Sequence, residues 1–116
     1  MALYNISTKQ EFKEKVLDNP KLVLVDFWAS WCPPCVAMTP HLEAVGKDLD
    51  SIADVVKIDI ENRPDTVEAQ MLAAEYGVQS IPNMPVFAKG REVERFIGMT
   101  PKAQLAKVLI DLSQTT

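Results

Sequence analysis

Trp31-Cys-Pro-Pro-Cys35 is the stretch on which the fold and function of this chain depend, because it contains both cysteines of the sequence. The apolar run Leu22-Val-Leu-Val-Asp-Phe-Trp28 precedes it and predicts a strand that is buried on both faces. An apolar stripe of helical period follows, from Val36 to Leu49. Two thiols separated by two residues, after a strand and before a helix, indicate a redox pair.

Length, composition and charge limit the classes of protein that this chain could be. Its 116 residues, 47% of them apolar and 24% charged, predict a single domain over residues 1–116 with one hydrophobic core. The formal charge of −4 argues against a nucleic-acid partner, and no apolar run reaches the roughly 20 residues of a membrane-spanning helix. No signal peptide is visible, so the cytoplasm is the expected location, although a mature exported protein would look the same.

The rest of the sequence alternates helical and strand patterns, which is typical of an α/β fold with a parallel start to its sheet and a late antiparallel hairpin. Helices are expected after the capping box Ser7-Thr-Lys-Gln10 and up to Asn19-Pro20, from Asn62-Arg-Pro64 to Gly77, and from Thr100-Pro101 to Leu112, with polar residues that fray after it. Further strands are expected at 3–6, at 52–60, and at 81–87 and 93–97 around the turn Lys89-Gly90.

Two prolines lie inside these predicted elements. Pro40 interrupts the helix that follows the cysteines, and a proline inside a helix predicts a kink. Pro85 lies in a predicted interior strand, where its missing N–H should break the hydrogen-bond ladder or force a bulge.

Several motifs together resemble those of the thioredoxin family. They are the active-site strand and loop Val25–Cys35, the helix proline Pro40, the cis-proline segment Ser80-Ile-Pro82, the hairpin turn Phe87-Ala-Lys-Gly90, and Ile97-Gly98 beside the substrate groove. The resemblance implies a thioredoxin fold, with a central mixed sheet of four to five strands flanked by about four helices. Two residues depart from the family pattern: Pro33 replaces the usual Gly, as in tryparedoxin-like proteins, and Asn83 replaces the usual Thr.

The position of the two cysteines assigns them different roles. Cys32 is expected at a helix N-terminus, where unpaired N–H groups and the helix dipole favour a thiolate, so it is the predicted nucleophile. Cys35, one turn inside, is the predicted resolving thiol. Pro33 and Pro34 suit a first helical turn and restrict the loop, and Pro33 is the predicted tuning residue for the redox potential. No metal is expected, since a zinc site would need about four ligands and His41, expected to face solvent without a role, is the only histidine.

Other site residues come from the resemblance. Asp26, a lone charge in an apolar strand, corresponds to a family carboxylate that assists proton transfer at the resolving thiol, with Lys57 as its partner. A cis bond at Ile81–Pro82 would place the Ile81 backbone beside Cys32, where a peptide substrate could add as a strand. The expected apolar groove consists of Trp31, Pro34, Ile60, Ile81, Pro82, Ile97 and Gly98, with Trp28 packed beneath the loop.

The resemblance implies a thiol–disulfide oxidoreductase, a monomer that reduces disulfide-containing protein substrates through Cys32 and Cys35. It would need no bound cofactor, because NADPH would supply electrons through a flavoprotein thioredoxin reductase. Two alternatives stay open at this point. One is a tryparedoxin-like or isomerase-like oxidoreductase, since Pro33 could raise the reduction potential. The other is a non-catalytic interaction subunit with the same fold.

Overall fold

The computed structural model describes residues 3–115, which form a five-stranded sheet with helices on both faces. Along the sheet the strands lie in the order β1-β3-β2-β4-β5. The strands are β1 Leu3–Ile6, β2 Leu22–Trp28, β3 Ala53–Asp59, β4 Asn83–Ala88 and β5 Arg91–Ile97. The helices are α1 Lys9–Phe12, α2 Pro33–Asp48, α3 Val67–Glu75 and α4 Lys102–Thr115. Helix α1 continues as a π-helical turn, Lys13–Leu17, and a 3-10 turn, Pro64–Thr66, precedes α3.

The direction of the strands confirms the predicted mixed sheet. Strands β1 and β2 both run parallel to β3, whereas β4 is antiparallel to β2 and β5 is antiparallel to β4. Parallel strands end at the same edge of a sheet, and loops at that edge are where ligands of α/β folds bind. The ends of β2 and β3 meet at Trp28 and Asp59, so the cysteine loop and the loop after β3 are neighbours.

Two apolar cores hold the helices against the sheet, one on each face, and strands β2 and β3 contribute alternate residues to both. This explains why β2 is a continuous apolar run rather than an alternating one. The core under α2 and α4 includes Leu24, Met38, Leu42, Val55, Met84, Leu105 and Leu109. The core under α1 and α3 includes Phe12, Val25, Phe27, Ile58, Leu72 and Phe87.

Pro85 interrupts the sheet as predicted. Pairing between β2 and β4 lapses between the pairs Leu24–Val86 and Phe27–Asn83, which is the part of the ladder opposite Pro85. The register between β4 and β5 also shifts by one residue, between Val86 and Phe87. A strand that lacks one N–H thus stays in the interior of the sheet because its ladder opens locally.

Several predicted helix boundaries are wrong by one to four residues. The capping box is Thr8 with Glu11, not Ser7 with Gln10, because the Glu11 carboxylate accepts the backbone N–H groups of both Ser7 and Thr8. Arg63, not Asn62, occupies the cap position before the 3-10 turn, and α3 itself begins only at Val67.

The last helix also differs from its prediction at both ends. It begins at Lys102, and the hydroxyl of Thr100 donates to the carbonyl of Gly98 instead of capping the helix. It continues through Thr115, three residues beyond its predicted end at Leu112, and the fraying of these last residues stays a prediction. Helix α2 runs from Pro33 to Asp48 with Pro40 inside it, and the kink stays a prediction.

Candidate active site

Cys32 occupies the N-cap position of α2, and the two prolines after it determine which backbone donor it receives. Pro33 and Pro34 fill the first positions of the helix and have no N–H. The first available donor is therefore the N–H of Cys35, which points at Cys32 Sγ at 3.2 Å. The N–H of Val36 donates to the Cys32 carbonyl at 3.1 Å. The N-terminus of α2 is thus directed at the Cys32 sulfur, as predicted, through the N–H of Cys35.

The two cysteines form a disulfide, Cys32–Cys35. Cys35 is fully enclosed, whereas Cys32 keeps 5% of its surface exposed. This difference agrees with the prediction that Cys35 is the more buried of the two, whereas the attacking and resolving roles stay predictions.

The segment before β4 lies directly beside Cys32. The Ile81–Pro82 bond is cis, and the carbonyl oxygen of Ile81 is 3.7 Å from Cys32 Sγ, so the predicted placement is confirmed. Pro82 itself is buried, and its carbonyl accepts the N–H of Gly98 at 2.9 Å. A partner at Cys32 would therefore meet the backbone of Ile81 rather than the ring of Pro82.

An apolar groove of about 520 Å³ opens beside the disulfide. Trp31, which is 69% exposed, Pro34, Ile60 and Ile81 belong to its lining, as predicted. Pro82, Ile97 and Gly98 do not, although Ile97 is 65% exposed. The lining also includes Val78, Gln79 and Ser80, which the sequence did not assign to the groove. Only their position between Gly77 and the cis-proline could have indicated that they line it. The full lining is Trp31, Cys32, Pro33, Pro34, Ile60, Val78, Gln79, Ser80 and Ile81.

Asp26 is fully buried on the face of the sheet that α2 covers, and neither of its carboxylate oxygens has a hydrogen-bond partner among residues 3–115. Burial raises its pKa from 3.8 to about 7, although the charge of Lys57 acts in the opposite direction. The carboxylate of Asp26 is therefore not exposed to solvent. A group that is partly protonated at neutral pH is suited to proton transfer.

Lys57 pairs with Asp26 in the register of β2 and β3 and is itself buried. Its ammonium lies 4.2 Å from the centre of the Trp28 ring, a cation–π contact. Among residues 3–115 it forms no ion pair with Asp26. Lys57 thus acts on Asp26 through the field of its charge while Trp28 holds its ammonium.

His41 has a structural contact that sequence reasoning missed. It is half-buried on α2, and its Nδ1 accepts the backbone N–H of Lys102, the first residue of α4, at 2.9 Å. The expectation of a solvent-facing side chain without a role is wrong, because this contact satisfies a helix-terminal donor. Over the described part of the chain, no three His, Cys, Asp or Glu side chains are grouped so that they could hold a metal. No helix within residues 3–115 is long and apolar enough to cross a membrane.

Comparison with known proteins agrees with this geometry. The family model named Thioredoxin matches residues 4–111. The chain belongs to the thioredoxin family. A thioredoxin of Staphylococcus epidermidis is 41% identical over 109 residues, which cover 94% of this chain and 96% of that protein. A thioredoxin of Porphyra purpurea is 40% identical over 102 residues, which cover 88% of this chain and 90% of that protein.

The fold comparison gives the same result. The crystal structure of Malassezia sympodialis thioredoxin superposes with a TM-score of 0.79 at 25% identity, and the match covers 96% of this chain and 90% of that one. Thioredoxins are protein-disulfide oxidoreductases, and they need no bound cofactor because their own cysteines exchange electrons. With its paired cysteines, this chain is a thiol–disulfide oxidoreductase.

Proposed function

We propose that this thioredoxin-family protein reduces disulfides of other proteins, with Cys32 as nucleophile and Cys35 as resolving thiol. The observation that carries this proposal is the disulfide at the N-terminus of α2, whose outer sulfur lies 3.7 Å from the Ile81 carbonyl at the edge of an apolar groove. The family assignment favours reduction over the tryparedoxin-like, isomerase-like and non-catalytic alternatives.

The reaction proceeds in two exchanges. The reduced Cys32 thiolate attacks one sulfur of the target disulfide; a Cys32–target bond forms, and the other target sulfur leaves as a thiolate. Cys35 then attacks Cys32 Sγ, which forms the Cys32–Cys35 disulfide and releases the second target sulfur. Two electrons pass from the protein to its target, and the target thiolates take up two protons.

Asp26 is proposed to accept the proton of Cys35 as that thiol attacks, and to return a proton when the disulfide is reduced again. Its support is its burial under α2 and a pKa of about 7, which make both protonation states accessible at neutral pH. Lys57 is proposed to limit the rise of that pKa, since its positive charge stabilises the carboxylate.

The target polypeptide is proposed to lie along the Ile81 backbone as an added strand, with apolar side chains on Trp31, Pro34 and Ile60. The exposed Ile97 and its neighbour Gly98 are proposed to extend this surface beyond the groove, and Pro82 is proposed to fix the Ile81 backbone through its cis bond. Pro33 is the proposed tuning residue, because it occupies the first helical position next to Cys32. An unchanged reduction potential in Pro33→Gly, measured against glutathione, would remove that role.

The electron donor is proposed to be NADPH, acting through a flavoprotein thioredoxin reductase. We further propose that the protein is located in the cytoplasm and acts in electron transport and cell redox homeostasis. It is proposed to be a monomer with a single domain over residues 1–116. The support is chemical: the cytoplasm keeps thiols reduced, and a reducing dithiol functions only where its own disulfide is continually reduced.

Insulin reduction with NADPH and thioredoxin reductase tests this proposal. The wild-type chain should couple NADPH oxidation to insulin reduction, and Cys32→Ser or Cys35→Ser should abolish turnover. Insulin reduction that proceeds with dithiothreitol but not with the reductase would contradict the proposed donor alone. A Cys32→Ser variant that keeps full turnover would contradict the proposed chemistry.

A further inference from the structure

Glu61 joins two loops of the groove by hydrogen bonding to Ser30. Its Oε1 accepts the backbone N–H of Ser30 at 2.6 Å. Ser30 immediately precedes Trp31, and Glu61 immediately follows Ile60, and both of these apolar residues line the groove. A single carboxylate therefore connects the loop after β2 with the loop after β3 at the point where each contributes an apolar side chain.

The carboxylate of Glu61 is itself held in position. Arg63 donates to its Oε2 at 3.2 Å, and the same guanidinium also binds Asp59 at 3.0 Å and Asp65 at 3.0 Å. The hydrogen bonds from Ser30, followed by the charge of Arg63, lower the pKa of Glu61, so it accepts as a carboxylate at neutral pH.

The backbone of Glu61 is anchored as well. Its N–H donates to Asp59 Oδ1 at 2.9 Å, and its carbonyl accepts from the Thr66 hydroxyl and from Gln70 Nε2. The loop after β3 is therefore held in place by several hydrogen bonds, and the bond from Ser30 to Glu61 fixes the cysteine loop relative to it.

Trp31 depends on that bond more than a buried residue would. Its side chain is 69% exposed, so packing contributes little to its position and the backbone that carries it contributes most. Two other contacts hold this loop: the Ile60 N–H donates to the Trp28 carbonyl at 3.0 Å, and the Cys32 N–H donates to the Ala29 carbonyl at 3.2 Å. The Glu61 bond is the contact that reaches Ser30, next to Trp31.

We propose that Glu61 is a positioning residue for substrate docking, which holds the Trp31 and Ile60 loops together so that the groove is formed before a protein disulfide binds. The inference rests on the proposed function and names a residue that acts through Trp31 rather than on the sulfurs. A preformed surface avoids the cost of ordering a loop on binding, which is the physical basis of the effect. A small disulfide, which reaches Cys32 without spanning the groove, gains nothing from this order.

Single-turnover kinetics of the pre-reduced protein separate docking from chemistry and avoid any effect on a reductase. Glu61→Ala should raise the insulin concentration at half-saturation by about tenfold, the usual scale for losing one charge-assisted hydrogen bond. Its rate with hydroxyethyl disulfide should stay at the wild-type value. Glu61→Gln keeps an oxygen acceptor and should recover most of the loss. Asp65→Ala removes another carboxylate from Arg63, one that does not touch Ser30, and is the matched control.

Hydrogen exchange of the Ser30 amide supplies a structural measurement on the same variants. The amide should exchange faster in Glu61→Ala than in wild type or Asp65→Ala. Insulin kinetics of Glu61→Ala equal to wild type would overturn the inference, and so would an equal slowing with insulin and hydroxyethyl disulfide. If Glu61→Ala fails to fold, Glu61→Gln decides the question. An unprotected Ser30 amide in Glu61→Gln, together with wild-type insulin kinetics, would overturn the inference, because docking would then not need the bond to Ser30. A wild-type chain that leaves insulin oxidised would contradict the proposed function itself.

Discussion

Asp26→Asn should remove a large dependence of stability on pH. Burial raises the pKa of Asp26 from 3.8 to about 7, so the folded protein holds this proton more tightly than the unfolded chain. The resulting stability is fully present below the unfolded pKa, falls as the pH rises between the two values, and is lost once the pH passes the folded pKa. Each pKa unit is worth about 1.4 kcal/mol, so an ionised Asp26 should destabilise the protein by about 4 kcal/mol at alkaline pH.

Urea unfolding of the oxidised proteins from pH 4 to pH 8, followed by tryptophan fluorescence, measures this effect. The oxidised state excludes any contribution from the Cys35 thiol. Asparagine keeps the shape of the side chain and does not ionise, so its own burial cost is the same at every pH. The stability of wild type relative to Asp26→Asn should therefore fall by about 4 kcal/mol over this range. Parallel curves, with a relative change below about 1 kcal/mol, would refute the burial argument.

Two further substitutions test the contacts around the site. Lys57→Met should raise the pKa of Asp26 above its wild-type value, because the removed positive charge favours the carboxylate. An NMR titration of the Asp26 carboxyl carbon measures this pKa, and an unchanged or lower value would contradict the prediction. His41→Ala should destabilise the protein by about 1 kcal/mol in urea, because the N–H of Lys102 loses its acceptor at the start of α4. Stability equal to wild type would show that solvent satisfies this N–H equally well.

The parts of the fold that could be predicted are those that depend on local pattern. Strand β2 was predicted with its correct bounds, since a continuous β-branched run has few alternatives. The hairpin turn was predicted from Lys89-Gly90, and both residues have positive φ. Asp26 could be singled out because a lone charge in an apolar strand is costly without a special environment.

The remaining features depend on what lies opposite a residue in space. Ser7-Gln10 and Thr8-Glu11 both fit a capping box, and only the path of the chain decides which pair closes it. His41 looked unremarkable on its helix because the sequence does not indicate that the first residue of α4 faces it. The Glu61–Ser30 bond joins two loops 31 residues apart in sequence, and a carboxylate in a charged loop gives no sign of it.

Trapping of the mixed disulfide tests the central claim most directly. Reduced Cys35→Ser and reduced Cys32→Ser are each incubated with insulin, and disulfide-linked adducts are identified by mass spectrometry after alkylation. Cys35→Ser should accumulate an adduct through Cys32, because the attacking sulfur remains and the resolving sulfur is gone. Cys32→Ser should form none, because Cys35 is enclosed. An adduct through Cys35 in Cys32→Ser, with none in Cys35→Ser, would contradict the assignment of the two cysteines.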